Sequence, residues 1–435
     1  MTQTDVNRIA RRLVLMIGGE AMQSCFHFAL GIALIHVLSA HDYGVFAIVM
    51  VIGGVGLTYI RSLTAMPASI WIGQSQSRAG ADAYEVTFGS GATLLSALMA
   101  VAIALVLRFW ADRGAAIAGG CFIGLWSLRS HLRTTFFARG RQRIVGFSDL
   151  IFTLSGAGLA GVALWAGGDL LLEVFFALTV ANTLGIAAML ALSRRPFRIS
   201  YGPKMRRRYA RLWRQLSWSG VSVTTTNLQG QGIALLVTAI AGPAAYAPIA
   251  AVLTLFVPLR VAATALVNLM QPELASLLAQ SEDERVWRQV KIWAAIMGTG
   301  GFAYGAAMTT LLPMIKSQAF EGTPVHLIGI FAWAIHSVTM LYVMPRIVLE
   351  AMTAFRTVAL ITTVAAIISI ACITLLLFLA PVAWALAGAA ISEIIVLAAS
   401  WIVVRRRLHG MSEGSSLAFT HRQQPEAAPL TSPGS

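Results

Sequence analysis

Charge is scarce in this chain, and what there is leans to one sign. Only 11% of its 435 residues are Asp, Glu, Lys or Arg, with 32 basic side chains against 18 acidic ones. Cysteine is nearly absent: Cys25, Cys121 and Cys372 each stand alone in an apolar run. That spacing excludes a disulfide framework and a metal cluster, leaving the thiols as small packing groups. No glycine-rich phosphate loop occurs, so ATP does not drive anything within this chain and no cofactor is expected. What fills the space is oil, at 57% hydrophobic residues and a mean hydropathy of +0.75. Apolar runs of about 18 residues or more recur throughout, each able to cross a hydrocarbon core of about 30 Å. Lipid gives the backbone no hydrogen-bond partners, and runs without two-residue alternation mean helices rather than a barrel. The fold class is therefore an all-α polytopic membrane protein.

Twelve spans are predicted, at residues 13–35, 43–63, 84–107, 114–138, 145–166, 170–193, 216–240, 245–270, 289–315, 324–345, 355–380 and 383–404. The N-terminus has the basic start of a signal peptide. Its apolar part exceeds the usual ~7–15 residues and carries Glu20 and His27, which predicts a retained first span. All but three of the 32 basic residues lie at, or lead in from, the side holding both termini; Arg108, Arg113 and Lys316 are the exceptions. Basic loops resist translocation, so both termini are expected in the cytoplasm. The stretch RRPFRISYGPKMRRRYARLWR then reads as a juxtamembrane loop drawn to anionic lipid, which explains the net charge of +14 without nucleic acid. The expected organisation is an N-terminal lobe (1–193), a basic loop (194–215), a C-terminal lobe (216–407) and a disordered tail (408–435) rich in Ser, Pro, Gln and Glu.

A short polar pause, LSAHDYG, interrupts the apolar run near residue 40, and a cognate pause, AGPAAYA, lies near residue 243. Tyr43 and Tyr246 are 203 residues apart, and the same offset pairs Ala47 with Ala250, Val49 with Val252 and Arg11 with Arg214. It maps the first six spans onto the last six. Six crossings return a chain to its starting side, so the halves share an orientation and a path between them is expected. Span one shows a polar stripe of Glu20, Gln23, Ser24, His27 and Gly31 at helical spacing. Span seven shows Ser219, Ser222, Thr226 and Gln229, flanked by Asn227 and Gln231. Two readings stand for these stripes: the lining of a shared hydrated cavity, or hydrogen-bonding glue between packed helices.

Three stretches carry a resemblance. LSAHDYGVFAIVMVIGGVGLTYIRS, WSLRSHLRTTFFARGRQRIVGFSDLIFTL and AAYAPIAAVLTLFVPLRVAATALVNLMQPELASLLAQ resemble segments of the bacterial polysaccharide and O-antigen flippases. That family sits in the multidrug/oligosaccharidyl-lipid/polysaccharide (MOP) exporter superfamily, with multidrug and toxin extrusion transporters and lipid II flippases. The resemblance implies two pseudo-symmetric six-helix bundles around a central cavity in the bacterial inner membrane. It implies movement of an undecaprenyl-diphosphate-linked oligosaccharide between leaflets for exopolysaccharide or O-antigen synthesis. A polysaccharide polymerase and a chain-length regulator are the partners such a role suggests.

A diphosphate crossing oil needs cations, and arginine binds phosphate oxygens in pairs. Intramembrane Arg260 in FVPLRVAA is the leading candidate, with Pro258 placed to open its helix; snorkelling to the cytoplasmic interface, or pairing with a carboxylate, is its alternative. Arg129 and Arg133, four apart on one face of span four, are candidates for an inner vestibule, with snorkelling as the alternative for Arg133. Arg61 and Arg346 read as topogenic. Gln23, Ser24, Thr226, Asn227 and Gln229 are the candidate neutral lining. Glu20, His27 and Glu393 are candidates for coupling to an ion gradient, and the acids alternatively for neutralising an arginine. Asp149 is expected to pair with Arg141 or Arg143, and Glu273 to orient the loop after span eight. Three other functions remain open. A drug extruder of the same fold would favour an aromatic, acidic cavity. A polytopic glycosyltransferase or polymerase would want a large outward loop, and the longest here is the short stretch around KSQAFEG. A scaffold without transport would rely on the tail and basic loop.

Overall fold

Every backbone amide in a bilayer must find its partner within its own segment, and helix dominates the chain accordingly. The computed structural model describes residues 3–75, 77–194, 197–315, 317–352 and 354–422, among which no strand occurs. The N-terminal lobe holds α1 (Gln3–Val37), α2 (Ala40–Ile60), α3 (Met66–Gln74), α4 (Arg78–Leu107), α5 (Arg113–Ala138), α6 (Gln142–Ala166) and α7 (Leu170–Ser193). A π turn, Arg61–Ala65, joins α2 to α3 without a break. The C-terminal lobe holds α8 (Pro203–Ala241), α9 (Pro243–Leu255), α10 (Val257–Ala279), α11 (Asp283–Leu311), α12 (Val325–Ala351), α13 (Phe355–Leu379) and α14 (Ala385–Arg422). α9 and α10 form one rod bent by 51° at Phe256, beside Pro258. Counting α2–α3 and α9–α10 as single rods gives twelve among the described residues, six per lobe.

Among the described residues, eight helices are long and apolar enough to cross a membrane, and the bent rod makes nine. The three rods that fall short are α5, α8 and α11, each carrying arginines in its sequence. Two boundaries differ from expectation. α8 begins at Pro203, inside the predicted basic loop, because Pro at the first turn starts a helix well. α14 continues to Arg422, beyond the predicted start of the tail at 408, and residues 423–435 lie outside the described residues.

The polar pause near residue 40 is a helix cap. Ser39 Oγ accepts from the Asp42 amide and starts α2, while the Asp42 carboxylate sits in the first turn. That turn lies at the end of the molecule opposite the termini, here called distal. The distal end is where the lobes close on each other. Tyr43, Val45, Ile48 and Val49 of α2 are buried with Tyr246, Ala250 and Val252 of α9 in one continuous apolar cluster. Tyr43 Oη lies 3.2 Å from Thr254 Oγ1, and Ser317 Oγ donates to Ile35 O at 2.6 Å. Gly44 makes the approach possible: a Cβ there would run into the Pro243 carbonyl oxygen. Without a hydrophobic drive between helices in lipid, such small-residue contacts do much of the joining.

Toward the proximal end, α2 and its π turn still lie on α8, whereas α1 and α10 barely meet. A strap also links the lobes there. Arg208 Nη1, on the first turns of α8, donates to Ala83 O and Thr87 Oγ1 of α4. Tyr209 packs edge-on against Phe88, and burial pushes its phenol above the usual range.

Candidate functional site

The arginines of α5 turn inward, and α6 and α1 answer them. Arg129 Nη2 donates to Asp149 Oδ1 at 2.6 Å, and Arg129 Nη1 to Gln23 Oε1 at 3.0 Å. Arg133 donates to Asp149 Oδ2 from Nε at 3.2 Å and from Nη2 at 2.9 Å, and to Glu20 Oε2 from Nη1 at 3.0 Å. Two cations thus meet two carboxylates. Arg129 and Asp149 are 1% and 0% exposed, while Glu20 ends the chain at 66%. The Arg129 guanidinium also lies 4.0 Å over the Phe152 ring. Gly185 leaves room for it, since a Cβ there would come within 2.8 Å of Arg129 Nε. A neutral cluster, bonded at every guanidinium and carboxylate contact but Arg129 Nε, which finds no partner among the described residues, is what makes buried charge tolerable in so dry a place.

Asp149 therefore does not pair with Arg141 or Arg143. It lies about two turns inside α6 and faces α5 and α1, while Arg141 is the N-cap of α6 and donates to Ser193 O, and Arg143 is exposed. Gln23, read as cavity lining, is buried against this cluster and also donates to Gly19 O at 3.2 Å. Ser24 is half-buried on the adjacent face. His27 is wedged among Phe26, Trp126 and Phe152, and neither of its ring nitrogens has a partner among the described residues.

A seam of short polar groups joins α2 to α8 between the lobes. Asn227 Nδ2 donates to Thr58 Oγ1 at 2.7 Å, Tyr59 Oη lies 2.7 Å from Thr224 Oγ1, and Ser62 Oγ touches Ser219 Oγ. Asn227 thus acts as glue between lobes. Thr226 is exposed and Gln229 is buried. Thr58, Tyr59 and Ser62 were not singled out from sequence, although Thr58 and Ser62 are four apart on one face of an apolar helix, which is the available signal.

Arg260 is placed differently from the α5 pair. It stands in the first turn of α10, just past the bend, on a helix that barely meets α1. Its side chain is exposed. Its nearest electrostatic neighbours are Tyr246 and His336, and among the described residues no carboxylate lies within ion-pair distance. His336 stacks on Phe256 at the bend, with centroids 4.8 Å apart. Glu393, in α14, is held by two neutral hydroxyls: Tyr342 Oη donates at 2.6 Å and Thr339 Oγ1 at 3.1 Å. Arg346, one turn along α12, donates instead to Glu350 at 3.1 Å. Tyr342 and Thr339 were also missed; their i,i+3 spacing on α12 carried the signal. Glu273 accepts from Gln289 Nε2 at 3.0 Å and so ties α10 to α11. No group of metal-ligating side chains occurs among the described residues.

Comparison with known proteins bears on the fold. No protein-family model matches the chain, and no curated protein sequence does. Solved structures do match. The inward-facing conformation of a multidrug resistance MATE family transporter of the MOP superfamily aligns with a TM-score of 0.72 at 11% identity, covering 90% of this chain and 96% of that one. The outward-facing conformation of a MATE family multidrug resistance transporter of that superfamily gives 0.57 at 12% identity, covering 93% and 96%. A MOP superfamily transporter from Pyrococcus furiosus, described as having a binding pocket of reversed polarity, gives 0.61 at 12% identity over 93% and 96%. At these identities the likeness is one of fold.

Proposed function

We propose that this protein is a flippase for lipid-linked oligosaccharide in the bacterial inner membrane, binding the diphosphate of its substrate at Arg260. The fold of membrane transporters is the setting, and a single contrast between arginines carries the choice of substrate. Arg129 and Arg133 have their charge cancelled within the lobe by Asp149 and Glu20. Arg260 is exposed just past the bend between α9 and α10, with no carboxylate within ion-pair distance among the described residues to cancel it. An unpaired cation at membrane depth is costly and marks an anion site. A diphosphate fits, because a guanidinium offers it two parallel hydrogen bonds. The lipid tail stays in the bilayer while the sugar head passes along Thr226 and the polar seam.

Glu393 is the coupling residue in this scheme. A carboxylate bound only by hydroxyls can take or lose a proton, or hold a monovalent cation, without breaking an ion pair. Glu20 is less suited, since Arg133 already neutralises it. With the basic side in the cytoplasm, the sealed distal end faces outward and the state is inward-facing. The polymerase and chain-length regulator of a polysaccharide pathway would receive the product.

A second reading, drug extrusion, draws support from the Glu20 carboxylate, which is exposed and could exchange Arg133 for an organic cation, and from the multidrug resistance transporter of like fold. One reconstitution separates the two. Proteoliposomes should flip a polyprenyl-diphosphate oligosaccharide, and Arg260→Ala should abolish flipping while the protein inserts normally. Undiminished flipping by that variant would remove the diphosphate role. Efflux of an organic cation that depends on Glu20 and ignores Arg260 would favour extrusion.

A further inference from the structure

The proximal half of α11 changes character abruptly. Asp283 to Lys291 reads DERVWRQVK, and from Ile292 the helix continues IWAAIMG. Lys291 Nζ lies 5.8 Å over the Trp287 ring, and Trp293 follows two residues later. Basic and aromatic residues at such a boundary mark the level where headgroups give way to acyl chains. At this level α10 and α11 enclose a groove of about 590 Å³, a size that suits a small ligand or a headgroup.

The groove has two signs of charge in fixed places. Arg285 and Arg288 stand on its α11 wall, and Glu273 faces them from α10. Arg285 shares its charge with Glu282 at 2.7 Å, while Arg288 makes no ion pair among the described residues. Glu273 is steadied by Gln289 through one oxygen and keeps the other free. Below the polar groups lie Ile292 and Ile296, 50% and 52% exposed, with Trp293. A purely anionic head would meet the arginines but be repelled by Glu273. A head with a phosphate and a primary ammonium satisfies both.

We propose that this groove is a binding site for a zwitterionic aminophospholipid of the phosphatidylethanolamine type, independent of the transported substrate. The phosphate lies between Arg285 and Arg288, the ammonium donates to the free oxygen of Glu273, and an acyl chain covers Ile292 and Ile296. A quaternary choline has no N–H to give and leaves the Glu273 oxygen unmet.

The test is native mass spectrometry of the full chain in detergent, titrated separately with dioleoyl phosphatidylethanolamine, phosphatidylcholine, phosphatidylglycerol and undecaprenyl diphosphate. The ethanolamine lipid should bind about tenfold more tightly than the other two phospholipids, as one charge-assisted hydrogen bond allows. Glu273→Gln keeps the bond to Gln289 and should erase the preference for ethanolamine over choline. Arg288→Gln should weaken all the phospholipids. Equal binding of the three phospholipids, or a preference that survives Glu273→Gln, overturns the proposal. Tighter binding of undecaprenyl diphosphate, strengthened by Glu273→Gln, overturns it as well and makes the groove a landing site for substrate. None of these outcomes depends on whether Arg260 acts in transport.

Discussion

Among single residues, Asp149 has the most to hold. It alone among the described residues pairs with both Arg129 and Arg133, and its loss would strand Arg129, which is 1% exposed, beside a phenyl ring. Breaking a buried pair by removing one partner costs about 3–5 kcal/mol. Asp149→Asn should therefore lower the thermal midpoint of the detergent-solubilised protein sharply, while Arg141→Ala, the partner first expected, should leave it nearly unchanged. Arg260 should behave in the opposite way. It has no ion pair to lose, so Arg260→Ala should keep or slightly raise the midpoint, and Arg260→Lys should retain part of the transport because one point charge replaces a fork. The two kinds of arginine were not separable in the sequence. Arg129 and Arg133 showed their common face through their spacing, but the carboxylate that cancels them comes from a helix sixteen residues or more away. Nothing in the spacing of Asp149 from Arg141 and Arg143 told that it faces inward.

At the level of helices, irregularity was partly legible. Pro258 announced the bend between α9 and α10, and the offset of 203 residues brought Tyr43 and Tyr246 to matching places beside the distal seal. The π turn at Arg61–Ala65 had no such signal, since RSLTA contains neither proline nor glycine. It is held from outside, by Ser62 on Ser219 and by Thr64, which lies 3.1 Å from His131. The contact of α2 with α9 depends on the hydrogen that Gly44 has in place of a side chain. In Gly44→Ala the new methyl would meet a backbone carbonyl that has no rotamer to escape by. The two helices must separate, at a cost of about 1–3 kcal/mol. The expected outcome is a leakier distal end, read as faster maleimide labelling of a cysteine introduced at Thr254 in a cysteine-free background. Unchanged labelling would mean that the seal is held elsewhere, for instance by Ser317 on Ile35.

Across the whole molecule, the lobes meet by apolar packing at the distal end and, on one side toward the proximal end, by a polar seam between α2 and α8, which is an unequal pair of contacts. The distal cluster buries Tyr43, Val45, Ile48, Val49, Tyr246, Ala250 and Val252 together, so separating it exposes aromatic and branched side chains. The seam of Thr58, Tyr59, Ser62, Ser219, Thr224 and Asn227 exchanges hydrogen bonds that water can replace at little loss. A transporter that alternates must break the costlier closure in every cycle, and ligand or ion binding has to supply the difference. Glu393 and Arg260 both sit in the C-terminal lobe, one beside α12 and the other at the bend. If that arrangement governs the cycle, fixing the distal closure alone should be enough to stop it. Tyr43→Cys with Thr254→Cys, joined by a short bis-methanethiosulfonate that takes up the length of the lost phenol, ties two positions whose side chains already touch. The cross-linker, oxidising both thiols to mixed disulfides, should arrest flipping, and a reductant should restore it. A cross-link at the seam, Thr58→Cys with Asn227→Cys, should arrest it only if α2 and α8 also part during the cycle. Full flipping through a cross-linked distal pair would show that the substrate does not pass between these lobes.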